Sequence, residues 1–341
     1  MGNTMNVSQQ ADARMQTIDK TLIKIENIKK YFPIKKGLIK KTIGYVRAVD
    51  DVSFEIDEGK IFGLVGESGC GKSTLGSTII GLEKPTAGRV YFAGRDVNEF
   101  SYAEKKKLRT NMQKIFQNPY SSLDPRKNIL EILSEPLRVY NKVPRNQVEQ
   151  KVDSLMNSVG LPKGYKYRFP SRLSGGERQR VSIARALTLE PKMIVCDEPV
   201  ASLDVSIQAQ ILNLLKDLQD ELNLTYLFIA HGLGAVQYIC NKVAVMYLGT
   251  IMEMGMTDEI FNHPLHPYTK ALLDAYPVSN PHRRGDERII LQGDVPSPVH
   301  KIIGCKFQAR CAYTTDKCKM FAPKLVQSSA RKAMHLCACF L

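Results

Sequence analysis

Gly66 to Thr74, reading GESGCGKST, constrains this chain more than any other stretch. It fits GxxxxGK[ST], with Gly66, Gly71, Lys72 and Ser73 at the required places, and it follows the apolar run Ile61 to Val65, which reads as a buried strand. A strand feeding a glycine-rich loop that opens a helix is a phosphate cradle. The glycines free the backbone to turn successive N–H groups inward, and the helix start adds the positive end of its dipole. Lys72 is placed to reach the β- and γ-phosphates of a nucleotide, and Ser73 offers a hydroxyl to Mg²⁺, which prefers hard oxygen ligands. Gly66, Ser68, Gly69, Gly71, Lys72, Ser73 and Thr74 form the expected nucleotide-binding set. A glycine turn that binds nothing is the bland alternative, and four fixed positions after an apolar strand argue against it.

At 341 residues the chain exceeds one average domain, so a large α/β domain with a smaller appendage is the natural expectation. No apolar run approaches the length of about 18 residues that suggests a membrane span. The polar residues 1–20 read as a disordered lead-in without a signal-peptide core, and Asn6 stands where a myristoylation site needs Ser or Thr. Cytosolic residence is expected. The net charge of +14 sits in two windows: Lys20 to Lys41 and Lys301 to Leu341 each carry +7, and the rest is neutral. Such flanks fit anionic lipid headgroups or an acidic partner at least as well as nucleic acid, and a merely solvated basic surface also accounts for them.

Leu22 to Ile28 and Val46 to Ile56 alternate as strands around a lysine-rich insert, Lys29 to Gly44. Tyr45 beside that insert is a candidate to stack on a purine base, as is Tyr31 with less support; a half-buried strand tyrosine is the alternative for both. A short helix ends near Gly81, a strand covers Arg89 to Phe92, and Tyr102 to Asn111 is helical. Prolines 119, 125, 136 and 144 punctuate a mainly helical insert, within which Gln147 to Val159 has helical spacing.

The second group of motifs starts at Leu173. Ser174, Gly175, Gly176 and Glu177 open a helix that Pro191 stops, making a second anion site. Met193 to Cys196 is strand-like and ends in Asp197 and Glu198. A carboxylate at the end of a buried strand can hold Mg²⁺ through water, and a second beside it can orient or deprotonate an attacking water. Asp204 caps a long helix striped by Ile211, Leu214, Leu215, Leu218 and Leu222, and the strand Thr225 to Ala230 delivers His231.

In order and spacing these stretches resemble the ATP-binding subunits of ABC transporters: GESGCGKST, Phe116 with Gln117, LSGGE from Leu173, MIVCDE ending at Glu198, SLD ending at Asp204, and His231. The resemblance implies an α/β P-loop ATPase fold with a mixed sheet at 21–255, a helical subdomain near 118–185, and ATP and Mg²⁺ as cofactors. It implies that two such domains face each other head to tail, the Ser174 to Glu177 segment of one closing over the γ-phosphate held by the other. By the same likeness Gln117 senses Mg²⁺ and water and couples to membrane partners, Glu198 polarises the water, and His231 holds the γ-phosphate. Two departures stand out. Glu177 replaces the usual glutamine and would weaken the opposing site electrostatically, and Gly232 follows His231 where a carboxylate is common.

His263 to Thr269 (HPLHPYT), Asn118 to Tyr120, Ser122 to Arg126, and Gly293 to Pro298 (GDVPSP) resemble the oligopeptide, dipeptide and nickel import branch, and KKGLIKK resembles its F-type subunit. This implies a C-terminal extension at 256–341 and a peripheral place on the cytoplasmic face of the membrane. It implies a related D-type ATPase partner, two permease subunits, a peptide-binding protein acting indirectly, and no nucleic acid. Of eight cysteines, five lie in the last 37 residues, with no paired CxxC of a zinc ribbon. Cys305, Cys311, Cys318 and Cys339 resemble a tail that binds a [4Fe–4S] cluster in some family members, leaving Cys337 spare; reduced, unligated thiols are the alternative. Two other functions stay open at this point: a soluble ABC ATPase outside transport, and a metal or redox module with nucleotide regulation.

Overall fold

Residues 20–37, 41–275, 296–299, 301–328 and 334–341 are described by the structure, a computed structural model. The expected lead-in, apart from Lys20, lies outside the described residues, as do the centre of the lysine-rich insert and positions 293–295. β1 (Thr21–Lys36) and β2 (Lys41–Asp57) form one long antiparallel hairpin. Strand pairing therefore runs through the region expected as an insert, ending with Lys36 opposite Lys41. The buried Ile23, Ile25 and Ile28 anchor the inner half, while the outer half is held by backbone pairing with several register shifts, which a side-chain pattern does not announce.

β3 (Ile61–Val65) leaves the hairpin for a second sheet, while β4 (Ala87–Phe92) and β5 (Arg95–Asp96) complete the first in the order β2-β1-β4-β5. The second sheet adds β6 (Met112–Ile115), β7 (Met193–Asp197), β8 (Thr225–Ala230), β9 (Lys242–Tyr247) and β10 (Thr250–Met256). β11 (Val326–Gln327) and β12 (His335–Cys337) finish it in the order β11-β12-β10-β9-β3-β8-β7-β6. The five strands from β9 to β6 run parallel and the remaining pairings are antiparallel, giving the mixed sheet expected.

Every residue of β3, β7 and β8 is buried, which explains why these strands read as unbroken apolar runs. Their alternate side chains serve two cores. Phe62, Leu64, Val195, Leu227 and Ile229 face the helix Lys72–Ile79 and the hairpin residues Ile23, Ile25 and Phe54. Ile61, Val65, Ile194, Cys196, Tyr226 and Phe228 face the opposite layer, which includes the helices Ile129–Val139, Val148–Ser158, Gly175–Leu187 and Val205–Leu222.

Helix starts follow their caps. Ser101 with Glu104, Asn128 with Glu131 and Ser174 with Glu177 each form a complete capping box. Asp204 stands at the start of Val205–Leu222, yet its side chain makes no capping bond, and Leu222 is exposed rather than part of the buried stripe. The helix Gly175–Leu187 ends ahead of Pro191.

The sheet and core run on past residue 255. Cys305, Phe307 and Tyr268 belong to the main apolar core, and β12 pairs with β10. His335, fully buried on β12, places Nε2 2.6 Å from Glu253 Oε1, and the Glu253 carboxylate also accepts from the backbone N–H groups of Leu265 at 2.7 Å and His266 at 3.0 Å. His266 caps the helix Pro267–Asp274 by accepting from the Tyr268 N–H through Nδ1. Burial pushes its pKa down to about 4, so the ring is neutral at neutral pH.

A histidine ordinarily near 6.5 when unfolded and near 4 when folded gains protons on unfolding between those values. Its contribution is complete above about pH 6.5 and is lost as pH falls towards 4, by up to about 3 kcal/mol. We expect His266→Asn, which keeps a capping side chain, to flatten the decline of stability over that window in urea unfolding at stepped pH. An unchanged slope would show that His266 does not titrate on unfolding.

Candidate functional site

β3, β7 and β8 run parallel with Val65 opposite Ala230 and Asp197 opposite Ile229, so residues 66, 198 and 231 leave neighbouring strands at the same edge of the sheet. Three segments remote in sequence meet there. Gly66 and Gly71 have φ of 151° and 106°, and a Cβ at either would lie 2.1 Å from the Met246 carbonyl oxygen or 1.9 Å from that of Ala48. Only glycine lets the loop pass so close to its neighbours. Lys72 is buried and donates through Nζ to the carbonyls of Gly66 at 2.8 Å and Glu67 at 2.9 Å. Ser68, Gly69 and Ser73 are exposed at the mouth of the loop.

The Ser73 hydroxyl donates to Asp197 Oδ1 at 2.7 Å. A hydroxyl and a carboxylate in contact are the hard-oxygen pair that Mg²⁺ requires, and the glycine loop with the start of the helix Lys72–Ile79 beside them is a setting that favours a triphosphate, so the residues present fit both. The second oxygen of Asp197 lies 2.8 Å from Lys114 Nζ, with both side chains under a tenth exposed. Lys114 was not legible as a site residue: a single lysine on a short strand carries no motif.

Glu198 is buried with a left-handed φ of 49°, and its N–H donates to the Ile229 carbonyl. This turn aims its carboxylate at two side chains. Gln117 Nε2 donates to Oε2 at 2.6 Å and His231 Nε2 lies 2.6 Å from Oε1. Burial lowers the pKa of His231, and the Lys72 cation acts in the same direction, which favours a neutral imidazole donating from Nε2 to the carboxylate.

Ser174, Gly175, Gly176 and Glu177 make no hydrogen bond or ion pair with this cluster. Ser174 and Gly175 are exposed, and Ser174 caps the following helix by accepting from the Glu177 N–H at 3.3 Å. The Glu177 carboxylate turns back to accept from the Ser174 N–H at 2.7 Å, a bond that holds its pKa below the usual range. The charge expected to burden an opposing site is thus engaged with the helix's own N-terminus. Tyr45 is half exposed on β2, whereas the Tyr31 hydroxyl is hydrogen-bonded to Asp50, and burial together with that carboxylate pushes its pKa up to about 12.

The iron–sulfur expectation is corrected. Cys305, Cys311, Cys318 and Cys339 line one cavity, but its volume is only about 20 Å³, close to the room one water needs. Among the described residues no group of three or more His, Cys, Asp or Glu side chains is disposed to hold a metal ion. Burial pushes the Cys305 thiol up to about 11 and raises that of Cys339, so these two pack as small neutral groups, whereas the hydrogen bond with Thr315 lowers the pKa of Cys318.

Removing one member of a buried ion pair leaves the other charge without its partner, at a cost of about 3 kcal/mol or more. Lys114→Met is expected to destabilise the nucleotide-free chain by that amount in urea unfolding. A loss below about 1 kcal/mol would mean that Asp197 is held without Lys114.

Comparison with known proteins places the chain in a family. The model of the ABC transporter family matches residues 49–201, and that of the oligopeptide/dipeptide transporter C-terminal region matches 252–318. The chain is 46% identical to the oligopeptide transport ATP-binding protein AppF of Bacillus subtilis, over 94% of this chain and 97% of that protein. It is 48% identical to the dipeptide transport ATP-binding protein DppF of Haemophilus influenzae, over 94% and 96%. Among solved structures, the dimeric ATP-binding cassette MJ0796 bound to ADP and phosphate superposes with a TM-score of 0.61 at 28% identity, covering 69% of this chain and 99% of that one. The chain belongs to the family of ABC transporter ATP-binding proteins.

Proposed function

We propose that this ATPase energises import of oligopeptides or dipeptides through a membrane transporter. The named peptide-transport relatives, matched along almost the whole chain, support the substrate class. No helix among the described residues is long and apolar enough to cross a membrane, so a passage for peptides would be formed by separate permease subunits. In this reading the chain sits at the cytoplasmic face of the membrane with two permeases and a second, D-type ATPase, and an extracytoplasmic binding protein delivers the peptide. Residues 21–255 form the nucleotide-binding part, with helices near 118–185 as its subdomain, and 256–341 the extension.

The observation that carries the chemistry is the Glu198 carboxylate held between Gln117 and His231. Gly66, Ser68, Gly69, Gly71, Lys72 and Thr74 hold the triphosphate, and Tyr45 offers a face for the base. Ser73 and Asp197 would hold Mg²⁺, which supplies charge neutralisation at the phosphates when bound. Glu198 accepts a proton from the attacking water, and its buried, doubly bonded carboxylate is already aimed for that task. His231 and Gln117 are positioned to exchange their bonds with Glu198 for bonds to the γ-phosphate and the water. Gln117 also begins the segment that leads into the helical layer, which gives it a route to the permeases. Ser174, Gly175, Gly176 and Glu177 act on the ATP of the facing subunit, consistent with the exposure of Ser174 and Gly175.

Removing a positioned base typically costs about 10² to 10⁴ in rate. Glu198→Gln should therefore bind MgATP as the wild type does yet hydrolyse it at least about a hundredfold more slowly in the reconstituted complex. Wild-type turnover would remove Glu198 from this role.

A further inference from the structure

Glu67 is the only carboxylate within GESGCGKST, and a negative charge there opposes the purpose of a loop that binds polyphosphate. The structure shows what answers it. Arg310, 243 residues away, places Nη1 3.1 and 2.8 Å from the two Glu67 carboxylate oxygens, with the arginine side chain 8% exposed and the glutamate 25%. The backbone N–H of Glu67 donates to the hydroxyl of Tyr268 at 3.0 Å, and the Glu67 carbonyl accepts from Lys72 Nζ. Tyr268 is itself fixed in a triangle of rings with Tyr247 and Phe307, at centroid distances of 4.8, 5.3 and 5.3 Å. One loop residue is thus held at its N–H and its side chain by the segment beyond β10, and at its carbonyl by the lysine expected to meet the phosphates.

We propose that Arg310 and Tyr268 are positioning residues for MgATP: Arg310 cancels the Glu67 charge and Tyr268 fixes the Glu67 N–H, so a segment outside every nucleotide motif sets part of the nucleotide affinity. The inference rests on the reading that Gly66 to Thr74 holds ATP. Its consequence is asymmetric. Loss of Arg310 leaves a carboxylate beside the triphosphate and weakens binding, whereas loss of the Glu67 charge leaves a guanidinium there and strengthens it. A contact that merely braces the fold would weaken binding from either side.

The test is MgATP binding to the full-length chain at low ionic strength, measured by equilibrium dialysis, for the wild type and for Glu67→Gln, Arg310→Met and the double variant. Arg310→Met should raise Kd about fivefold, Glu67→Gln should lower it about threefold, and the double variant should return to within about twofold of wild type. The proposal is overturned if both single variants weaken binding, if neither shifts Kd beyond about twofold, or if the double variant is no better than Arg310→Met. Should Arg310→Met not fold, Glu67→Gln decides alone, since tighter binding supports the proposal and unchanged or weaker binding overturns it. Lys72→Ala separates the two readings: if it binds MgATP as tightly as wild type, the loop reading fails first.

Discussion

Parallel pairing of β3 with β8, and of β8 with β7, is the constraint on which the rest of this structure depends. Val65 stands opposite Ala230 and Asp197 opposite Ile229, so the phosphate loop, the carboxylate pair and His231 emerge side by side although they are far apart in the chain. Because all three strands are buried on both faces, a slip of one residue would exchange the two sets of side chains that pack the separate cores, and the register is fixed accordingly. The site inherits that rigidity. Glu198 sits in a left-handed backbone conformation whose local cost is of order 1 kcal/mol, and the turn is tied down by the bond from its N–H to Ile229. The conformation is what directs the carboxylate towards Gln117 and His231.

The segment beyond residue 255 is woven into this framework. β12 covers the edge of β10 and is in turn paired with β11, so that side of the sheet ends on a strand of only two residues. The buried contact of His335 with Glu253 ties β12 to the turn at Leu265 and His266, and Tyr268, two residues on, reaches the phosphate loop. Lys306 reaches back to Asp50 at 2.9 Å and to the Leu248 carbonyl at 2.9 Å. The polar contacts of this segment therefore converge on the loop and on the strands that flank it.

What was legible in the sequence follows from what each element must bury. β3, β7 and β8 read as apolar runs because neither face meets water, and the helix Tyr102–Asn111 had correct bounds because Ser101 and Glu104 cap it reciprocally. The loop and Gln117, Glu198 and His231 were legible through motif order. The outer half of the β1–β2 hairpin was not, because exposed lysines do not alternate with apolar residues there. Lys114 and the bond from Glu67 to Arg310 were hidden for another reason: each joins residues that only the folded sheet brings together. Cysteine spacing in the tail gave a count of thiols but neither the size of the cavity they line nor the placement of their side chains, and the cluster expectation failed on both.

ATP-dependent peptide accumulation tests the central claim most directly. With this chain assembled with the proposed permeases and second ATPase in sealed vesicles, the account predicts that a labelled short peptide accumulates only when MgATP is supplied on the side where the ATPases are bound. It predicts equally that peptide delivered by the binding protein stimulates hydrolysis. Hydrolysis indifferent to peptide, or peptide accumulation that persists without hydrolysable ATP, would contradict it.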